Sequence, residues 1–202
     1  MDLFNHSSQT NILPYDGEAI YHGIVFPKAT ADHYAAVLME NIAWKHDEAV
    51  IYGKHLVTAR KVAWYADKPF SYSYSGTTKQ ALPWTEELLT LKQVAEEQSG
   101  CRFNSCLLNL YHHGEEGMAW HSDDERSLGE NTVIASLSFG AERKFAFKHK
   151  RTKETVSLML AHGSLLVMKG TTQSCWLHRL PPTTKVKRPR INLTFRTIIG
   201  QE

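Results

Sequence analysis

The sequence predicts an α+β, mainly β fold: one domain with helices in its first half and a sandwich or jelly roll of short strands in its second. Three observations carry this. From Cys106 onward, CLLNLY, TVIASLSF, KFAFKH, TVSLML, SLLVMK, SCWLH and RINLTFR follow one another as strand patterns, separated by Gly, His or charged turns, and no further helix fits. Two helical patterns precede Cys106. The 202 residues suffice for one well-buried domain and not for two, and no linker, repeat or low-complexity tract divides them.

In order, residues 1–20 are polar and turn-rich, a poorly ordered lead-in. Thr30 is placed to cap a helix from Ala31 to Trp44, with Tyr34, Val37, Leu38 and Ile42 on one stripe. AVIYGKHLV is two apolar runs broken by Tyr52-Gly53-Lys54, a tight hairpin. Phe70, Tyr72 and Tyr74 alternate with Ser71, Ser73 and Ser75, giving a strand with an aromatic face on which Phe70 reads as core. Pro83 to Gln98 is a second helix: Pro near its start, acids in its first turn, Leu88, Leu91, Val94 and Ala95 inward, and Gly100 to stop it.

Composition excludes several classes. A hydrophobic share of 42% with 22% charged residues is that of a soluble globular chain. No apolar run nears the roughly 20 residues that span a bilayer, so no membrane partner is expected. No basic segment leads into an apolar core, so no secretion signal is expected. Cys101, Cys106 and Cys175 are odd in number and irregularly spaced, which reads as reduced thiols in an intracellular setting: cytoplasmic, or nuclear in a eukaryote. The net charge of +2 is mild. Arg143, Lys144, Lys148, Lys150, Arg151 and Lys153 crowd one segment, and Lys185, Lys187, Arg188 and Arg190 another. Such runs suit solvated loops or phosphate contacts.

The stretch richest in information is Arg190 to Arg196. Ile191, Leu193 and Phe195 alternate with Arg190, Asn192, Thr194 and Arg196, a period of two with one apolar face. Two arginines with an amide and a hydroxyl between them could converge on one small dianion, each gripping a carboxylate through its planar fork. The same pattern suits an exposed strand face with two unrelated arginines. His121-Ser122-Asp123 puts an imidazole and a carboxylate on one side of an extended backbone. With one distant histidine they make the facial Fe(II) ligand set, and His149, His162 and His178 are available for that role. His46–Glu48 and His113–Glu115 repeat the pair elsewhere, where composition alone yields about one. There is no HExxH, no nucleophile elbow and no glycine-rich phosphate loop.

LLNLYHHGEEGMAWHSDDE, ASLSFGAERKFAFKHK, WLHRLP and RPRINLTFR, in this order, resemble the AlkB family of Fe(II)- and 2-oxoglutarate-dependent nucleic-acid dealkylases, from about Ile51 to Ile198. The resemblance implies a single domain over 21–202: a double-stranded β-helix (jelly roll) at about 104–198, buttressed by N-terminal helices, with nucleotide-recognition hairpins at about 45–82. It implies iron ligation by His121, Asp123 and His178. Arg190 and Arg196 would hold the two carboxylates of 2-oxoglutarate, with Asn109, Tyr111, Asn192 and Thr194 completing that pocket. O2 is the co-reactant.

IYGKH, ARKVAWYAD and SYSYSG resemble the homologues acting on duplex DNA, whose hairpin pushes an aromatic finger into the base stack. Tyr52 holds that place, followed by Gly53 and Lys54; the plainer alternative is that Tyr52 staples the hairpin to the core. Arg60, Tyr72, Ser73, Tyr74, Asp124 and Glu125 match substrate-contacting positions. The basic loop before the last strand is sparser than in finger-bearing members, the hairpin at Lys150–Glu154 is short, and the fingertip is Tyr rather than the usual Phe. The expected activity is oxidative removal of N-alkyl groups from flipped bases such as 1-methyladenine and 3-methylcytosine, releasing formaldehyde. Duplex DNA is the favoured partner, single-stranded DNA or RNA the alternative, and the protein is expected to be a monomer. A nucleic-acid-binding protein on a non-catalytic jelly roll is the reading from another class.

Overall fold

The computed structural model of the protein describes residues 10–51, 54–74 and 77–200, and the side chains of these apart from 49–51, 54–56, 72–74 and 77–79. Strand β1 (Glu18–Ile24) leads into helix α1 (Lys28–Asn41), followed by β2 (Lys45–Ile51), β3 (Lys54–Ala66), β4 (Ser71–Tyr74), β5 (Thr77–Gln80) and helix α2 (Glu86–Ser99). The second half runs through β6 (Ser105–Tyr111), β7 (Met118–His121), β8 (Ile134–Gly140), β9 (Arg143–His149), β10 (Thr155–Leu160), β11 (Ser164–Lys169), short helix α3 (Thr172–Cys175), β12 (Trp176–Leu180) and β13 (Arg190–Arg196).

The strands form a major sheet in the order β1-β11-β8-β13-β6-β3-β2 and a minor sheet in the order β10-β9-β12-β7, with β4 and β5 as a separate pair. The strands whose pairing is given in both larger sheets run antiparallel. This is a jelly roll, one of the two architectures the strand spacing suggests and the one the family resemblance implies.

The major sheet is covered on both faces, and strand periodicity sorts its residues between them. Ala135, Leu137 and Phe139 of β8, Leu165 and Val167 of β11, and Ile191, Leu193 and Phe195 of β13 pack with Leu38, Leu88, Leu91 and Ala95 of the two helices. The alternate residues face the minor sheet. At one end of that interior, Ile134, Leu166 and Met168 meet Phe147, Leu160 and Trp176 in a second apolar cluster. Further along, the inward positions turn polar, and the candidate site lies there.

α2 follows the signals of its sequence. The Thr85 side chain accepts from Leu88 N, Glu86 and Glu87 stand in the first turn, and Gly100 terminates the helix at a φ of 70°. α1 differs: it runs Lys28–Asn41 behind Pro27, with no side-chain cap, where Thr30 had been expected to cap a helix over Ala31–Trp44. Its start is set from a distance, because Val25 N and Phe26 N both donate to Gly163 O and pin the chain just before Pro27. Ile42, already extended, ends it.

Three further expectations are corrected. The lead-in is packed from Asn11 onward: Leu13 is buried, Asn11 bridges to Ile20, and β1 adds an edge strand on β11. A helix does occur after Cys106, the single turn α3, which takes in the first two residues of SCWLH, so that strand begins only at Trp176. Arg143 does not join a basic surface. It is 1% exposed and donates to the carbonyls of His113, Gly114, Glu116 and Pro181, clamping the loop after β6 to the end of β12.

Candidate active site

The polar stripe on the inner face of the major sheet comes from three neighbouring strands. In β13 the inward residues are Arg190, Asn192, Thr194 and Arg196. Tyr111 and Asn109 of β6 stand opposite Arg190 and Asn192, and Ser138 and Ser136 of β8 stand opposite Asn192 and Thr194. The face that looked like a solvent-exposed strand surface in isolation is thus interior. Arg190 is 3% exposed, and Asn109, Tyr111, Ser136, Ser138 and Thr194 are also buried.

Bonds within the stripe fix its side chains. Asn192 Nδ2 donates to Ser136 Oγ at 2.8 Å and Leu137 O at 2.9 Å, and Thr194 Oγ1 donates to Asn192 Oδ1 at 3.2 Å. Arg190 donates one Nη to Ser138 Oγ at 2.9 Å, and its guanidinium lies 5.7 Å from the Tyr111 ring centre. No carboxylate pairs with Arg190 among the described residues, and its Nε is buried without a partner. Burial pulls its pKa down to about 10. An unpaired buried cation is costly, and side chains of native interiors are normally paired to avoid it.

At the other end of the stripe Arg196 donates to Asp123 Oδ2 at 2.9 Å. Asp123 is buried, and its backbone N–H is held by Gln173 Oε1 at 2.9 Å. Burial pushes its carboxyl up, but Arg196, His178 and His121 outweigh that and keep it below the usual carboxylate range. His121 and His178 are direct cross-strand partners on β7 and β12, with ring centres 4.3 Å apart. Their Nε2 atoms lie 3.7 Å and 4.0 Å from Asp123 Oδ1.

His121 Nδ1 is 2.8 Å from Ala119 O, so it carries the proton and leaves the Nε2 lone pair facing the carboxylate. Burial draws His178 down to about 4, which keeps its ring neutral. His121, Asp123 and His178 thus offer one ligand atom each, all within 4.8 Å of one another. Two imidazoles and one held-anionic carboxylate on one side of a site suit a divalent transition metal such as Fe(II). The unpaired Arg190 suits a carboxylate.

Of the other histidines considered as third ligand, His162 accepts from Gly140 N and pairs with Asp32, and His149 lies beside Asp16. Arg60, matched to a substrate contact, is 8% exposed and points into this interior: it donates to Asn109 Oδ1 at 2.9 Å and pairs with Asp47. Asp124 is exposed, accepting from Ser122 Oγ and Lys150 Nζ, and exposed Glu125 precedes a short 3-10 turn. Tyr52 and Gly53 lie outside the described residues, as do the side chains of Lys54, Tyr72, Ser73 and Tyr74. The backbone of the last three forms β4, paired with β5, and the Ile51–Lys54 pair flanks Tyr52 and Gly53.

Sequence reasoning missed Ser136, Ser138 and Gln173. Alternation of serine with apolar residues in IASLSF was the available signal for the two serines; nothing local marks Gln173. Gly114 and Gly117 are fixed by close approach. A Cβ on the first would come 2.3 Å from Thr183 O, and on the second 2.5 Å from Leu180 O. The strand carrying His121 is thereby pressed against the chain that follows His178.

Comparison with known proteins agrees with this geometry. Residues 17–196 match the family described as the 2OG-Fe(II) oxygenase superfamily. The chain is 41% identical over 189 residues to human alpha-ketoglutarate-dependent dioxygenase alkB homolog 3, covering 89% of this chain and 65% of that protein. It is 38% identical over 195 residues to mouse DNA oxidative demethylase ALKBH2, covering 91% and 82%. The chain therefore spans a little under two thirds of the human alkB homolog 3 and most of mouse ALKBH2. Among solved structures OsALKBH1 superposes with a TM-score of 0.62 at 12% identity, over 92% of this chain and 99% of that one, a likeness of fold. The chain belongs to the 2OG-Fe(II) oxygenase superfamily, among its AlkB homologues.

Proposed function

We propose that this chain is an Fe(II)- and 2-oxoglutarate-dependent dioxygenase that removes N-alkyl groups from bases of DNA. The observation that carries the reading is the inner stripe of β13, with an unpaired buried Arg190 at one end and a His-Asp-His cluster tied to Arg196 at the other. The names of the mouse and human relatives, a DNA oxidative demethylase and an alpha-ketoglutarate-dependent dioxygenase, agree with it.

His121, Asp123 and His178 would hold the iron. When bound with O2 and 2-oxoglutarate, that iron supplies the oxidant for hydroxylating an alkyl carbon. The chain's own residues bind, orient and seal. Arg190, itself buried from water, supplies a carboxylate with a fixed fork of donors in a setting where charge-assisted bonds are strong. Asn192 and Thr194 are locked by Ser136 and by each other, so they offer the ligand a rigid floor. Arg196 keeps Asp123 ionised and aimed. Arg60 orients Asn109. A hydroxylated N-methyl group then breaks down to formaldehyde and the free base nitrogen.

For the substrate, an acid near a cationic alkylated base and aromatic faces around it both favour positive charge. Asp124 and Glu125, exposed just after the cluster, together with Tyr72 and Tyr74 are assigned that role, and 1-methyladenine and 3-methylcytosine are the bases. Tyr52 is assigned to the gap left by the flipped nucleotide in duplex DNA. Single-stranded DNA or RNA is the alternative substrate.

The test is incubation of the protein with Fe(II), 2-oxoglutarate and ascorbate, with 1-methyladenine in matched duplex DNA, single-stranded DNA and RNA. Repaired base and consumed cosubstrate are quantified together. Repair in the duplex at least equal to the single strand supports the whole assignment, and Tyr52→Ala should then lose duplex repair selectively. Repair of RNA alone would move the substrate to the alternative. Neither repair nor 2-oxoglutarate consumption would overturn the enzyme reading.

A further inference from the structure

A second cluster of ligand-type side chains lies on the same inner face of the minor sheet. His149 of β9 pairs across strands with Trp176 of β12, one pleat repeat along from the Phe147–His178 pair. Asp16, His149 and Cys175 bring a carboxylate oxygen, an imidazole nitrogen and a thiol sulfur within 4.8 Å of one another. His149 is 2% exposed. Its Nδ1 accepts from Thr152 N at 3.0 Å, which places the ring proton on Nε2 or leaves that atom to a metal. Nε2 is buried and has no hydrogen-bond partner among the described residues, although Asp16 Oδ2 stands 3.2 Å away, outside hydrogen-bond geometry. The ring is fixed edge-on between Tyr15 and Trp176, with centres 5.1 Å and 4.9 Å away. A buried imidazole held this firmly, with a carboxylate oxygen 3.2 Å from its unbonded Nε2 and a thiol in the same 4.8 Å cluster, is placed as a metal ligand is.

The other two donors are also held. The turn bearing Asp16 is pressed on α3, since a Cβ on Gly17 would come 2.8 Å from Thr172 Oγ1 and Glu18 N donates to that oxygen at 2.9 Å. Tyr15 donates to Glu154 at 2.7 Å, and its carbonyl accepts from Trp176 Nε1 at 3.1 Å. Cys175 closes α3, with its N–H on Thr171 O and its carbonyl on Lys150 N. Exposed Arg151 stands 4.0 Å from Asp16 Oδ2.

We propose that Asp16, His149 and Cys175 form a second metal site, selective for Zn(II) and distinct from the His121–Asp123–His178 cluster. A mixed imidazole, thiolate and carboxylate set is borderline in softness, which suits Zn(II) better than Fe(II), Mg(II) or Ca(II). Tetrahedral ligands about 2.1 Å from zinc stand roughly 3.4 Å apart, so the His149–Asp16 pair is already at the required separation, and a rotation of the Cys175 or Asp16 side chain closes the rest. Asp16 opens to solvent, which leaves a fourth position for water. Binding releases the Cys175 proton to solvent and ties the segment before β1 to the edges of β9 and β12, so this site acts as a staple and not in the chemistry.

Co(II) is the probe, because a cobalt–thiolate bond gives a charge-transfer band in the near ultraviolet and the first cluster contains no sulfur. The full chain should show that band and take up two equivalents of Co(II). In His178→Ala the band should persist with one equivalent lost. In Cys175→Ser the band should vanish with one equivalent retained, and Zn(II) added to the wild type should bleach it. Asp16→Ala removes an exposed side chain and is not expected to disturb folding; it should weaken the band in titration. Absence of the band in the wild type, or its survival in Cys175→Ser, would overturn the proposal.

Discussion

Replacing Arg190 with Met should stabilise the ligand-free protein while removing its response to 2-oxoglutarate. Met keeps most of the apolar stem and deletes the charge. Burial draws the guanidinium's pKa well below its ordinary value, to about 10, which at about 1.4 kcal/mol per tenfold in proton affinity amounts to about 3 kcal/mol against the charged form. Loss of the bond to Ser138 offsets about 1–2 kcal/mol of that. The net is a gain of about 1 kcal/mol, or roughly 2–4 °C in Tm for a domain of this size.

The ligand response runs the other way. Wild-type protein with Mn(II) in place of iron and 2-oxoglutarate at about 100 times Kd should gain about 2.7 kcal/mol. Truncating one partner of a buried charge pair costs about 2–5 kcal/mol, so in Arg190→Met the shift should disappear at the same concentration. Thermal melts with and without 2-oxoglutarate read both effects in one experiment. A variant that melts several degrees lower than wild type, with its 2-oxoglutarate shift intact, would refute the idea that Arg190 is a buried cation kept for an anionic ligand.

Other consequences are separable. His121→Ala and Asp123→Ala should abolish turnover and lower Mn(II) affinity, and wild-type-like repair in either would remove the cluster as metal centre. Arg143→Met should destabilise by about 3 kcal/mol or more, because several buried carbonyls lose their donor; a denaturation midpoint near wild type would contradict the clamp. Gly114→Ala should lose both stability and metal affinity, since the Cβ displaces the Thr183 carbonyl, and titration of the folded fraction with Mn(II) checks it. Lys187→Ala and Arg188→Ala should each lower the slope of log affinity for DNA against log salt by about 1, and unchanged slopes would place both residues away from phosphate.

How much of this was legible depended on whether the signal was local. The β13 alternation is written in seven residues and survives intact, and α2 carries its cap, acids and stop within its own sequence. What β13 could not say is that its polar face is inside. A period of two marks two faces and leaves open what covers the second, which here is a sheet built from β9, β12 and β7. α1 was misplaced because Gly163, far along the chain, fixes its start. β1 was missed in a polar lead-in because its pairing with β11 is entirely long-range. Arg143 looked like one of a basic run, and nothing near it predicts the convergence of distant carbonyls. The triad needed the most distant information, since His178 meets His121 only through the β12–β7 pairing, and the family resemblance rather than spacing singled it out from His149 and His162.

The charges of the site imply that metal and cosubstrate bind as a pair. Of Arg190 and Arg196 only the second is paired with a carboxylate, Asp123, so the stripe carries an excess of positive charge among the described residues. A divalent cation entering alone adds to that excess in a low-dielectric setting, where such terms are large. A dianion entering first reverses it, and each ligand should then favour the other. Coupling of this kind is reciprocal and typically about 1–3 kcal/mol, so Mn(II) affinity should rise about 5–150-fold with saturating 2-oxoglutarate, and 2-oxoglutarate affinity by the same factor with Mn(II). Arg190→Met lowers the initial excess, and with it the penalty on the metal alone, so it should tighten Mn(II) binding without cosubstrate while weakening the coupling. Calorimetric titrations of each ligand with and without the other close the cycle. Equal Mn(II) affinity in the presence and absence of 2-oxoglutarate would mean that the arginines and the metal cluster act independently, and that the stripe of β13 is not one binding site.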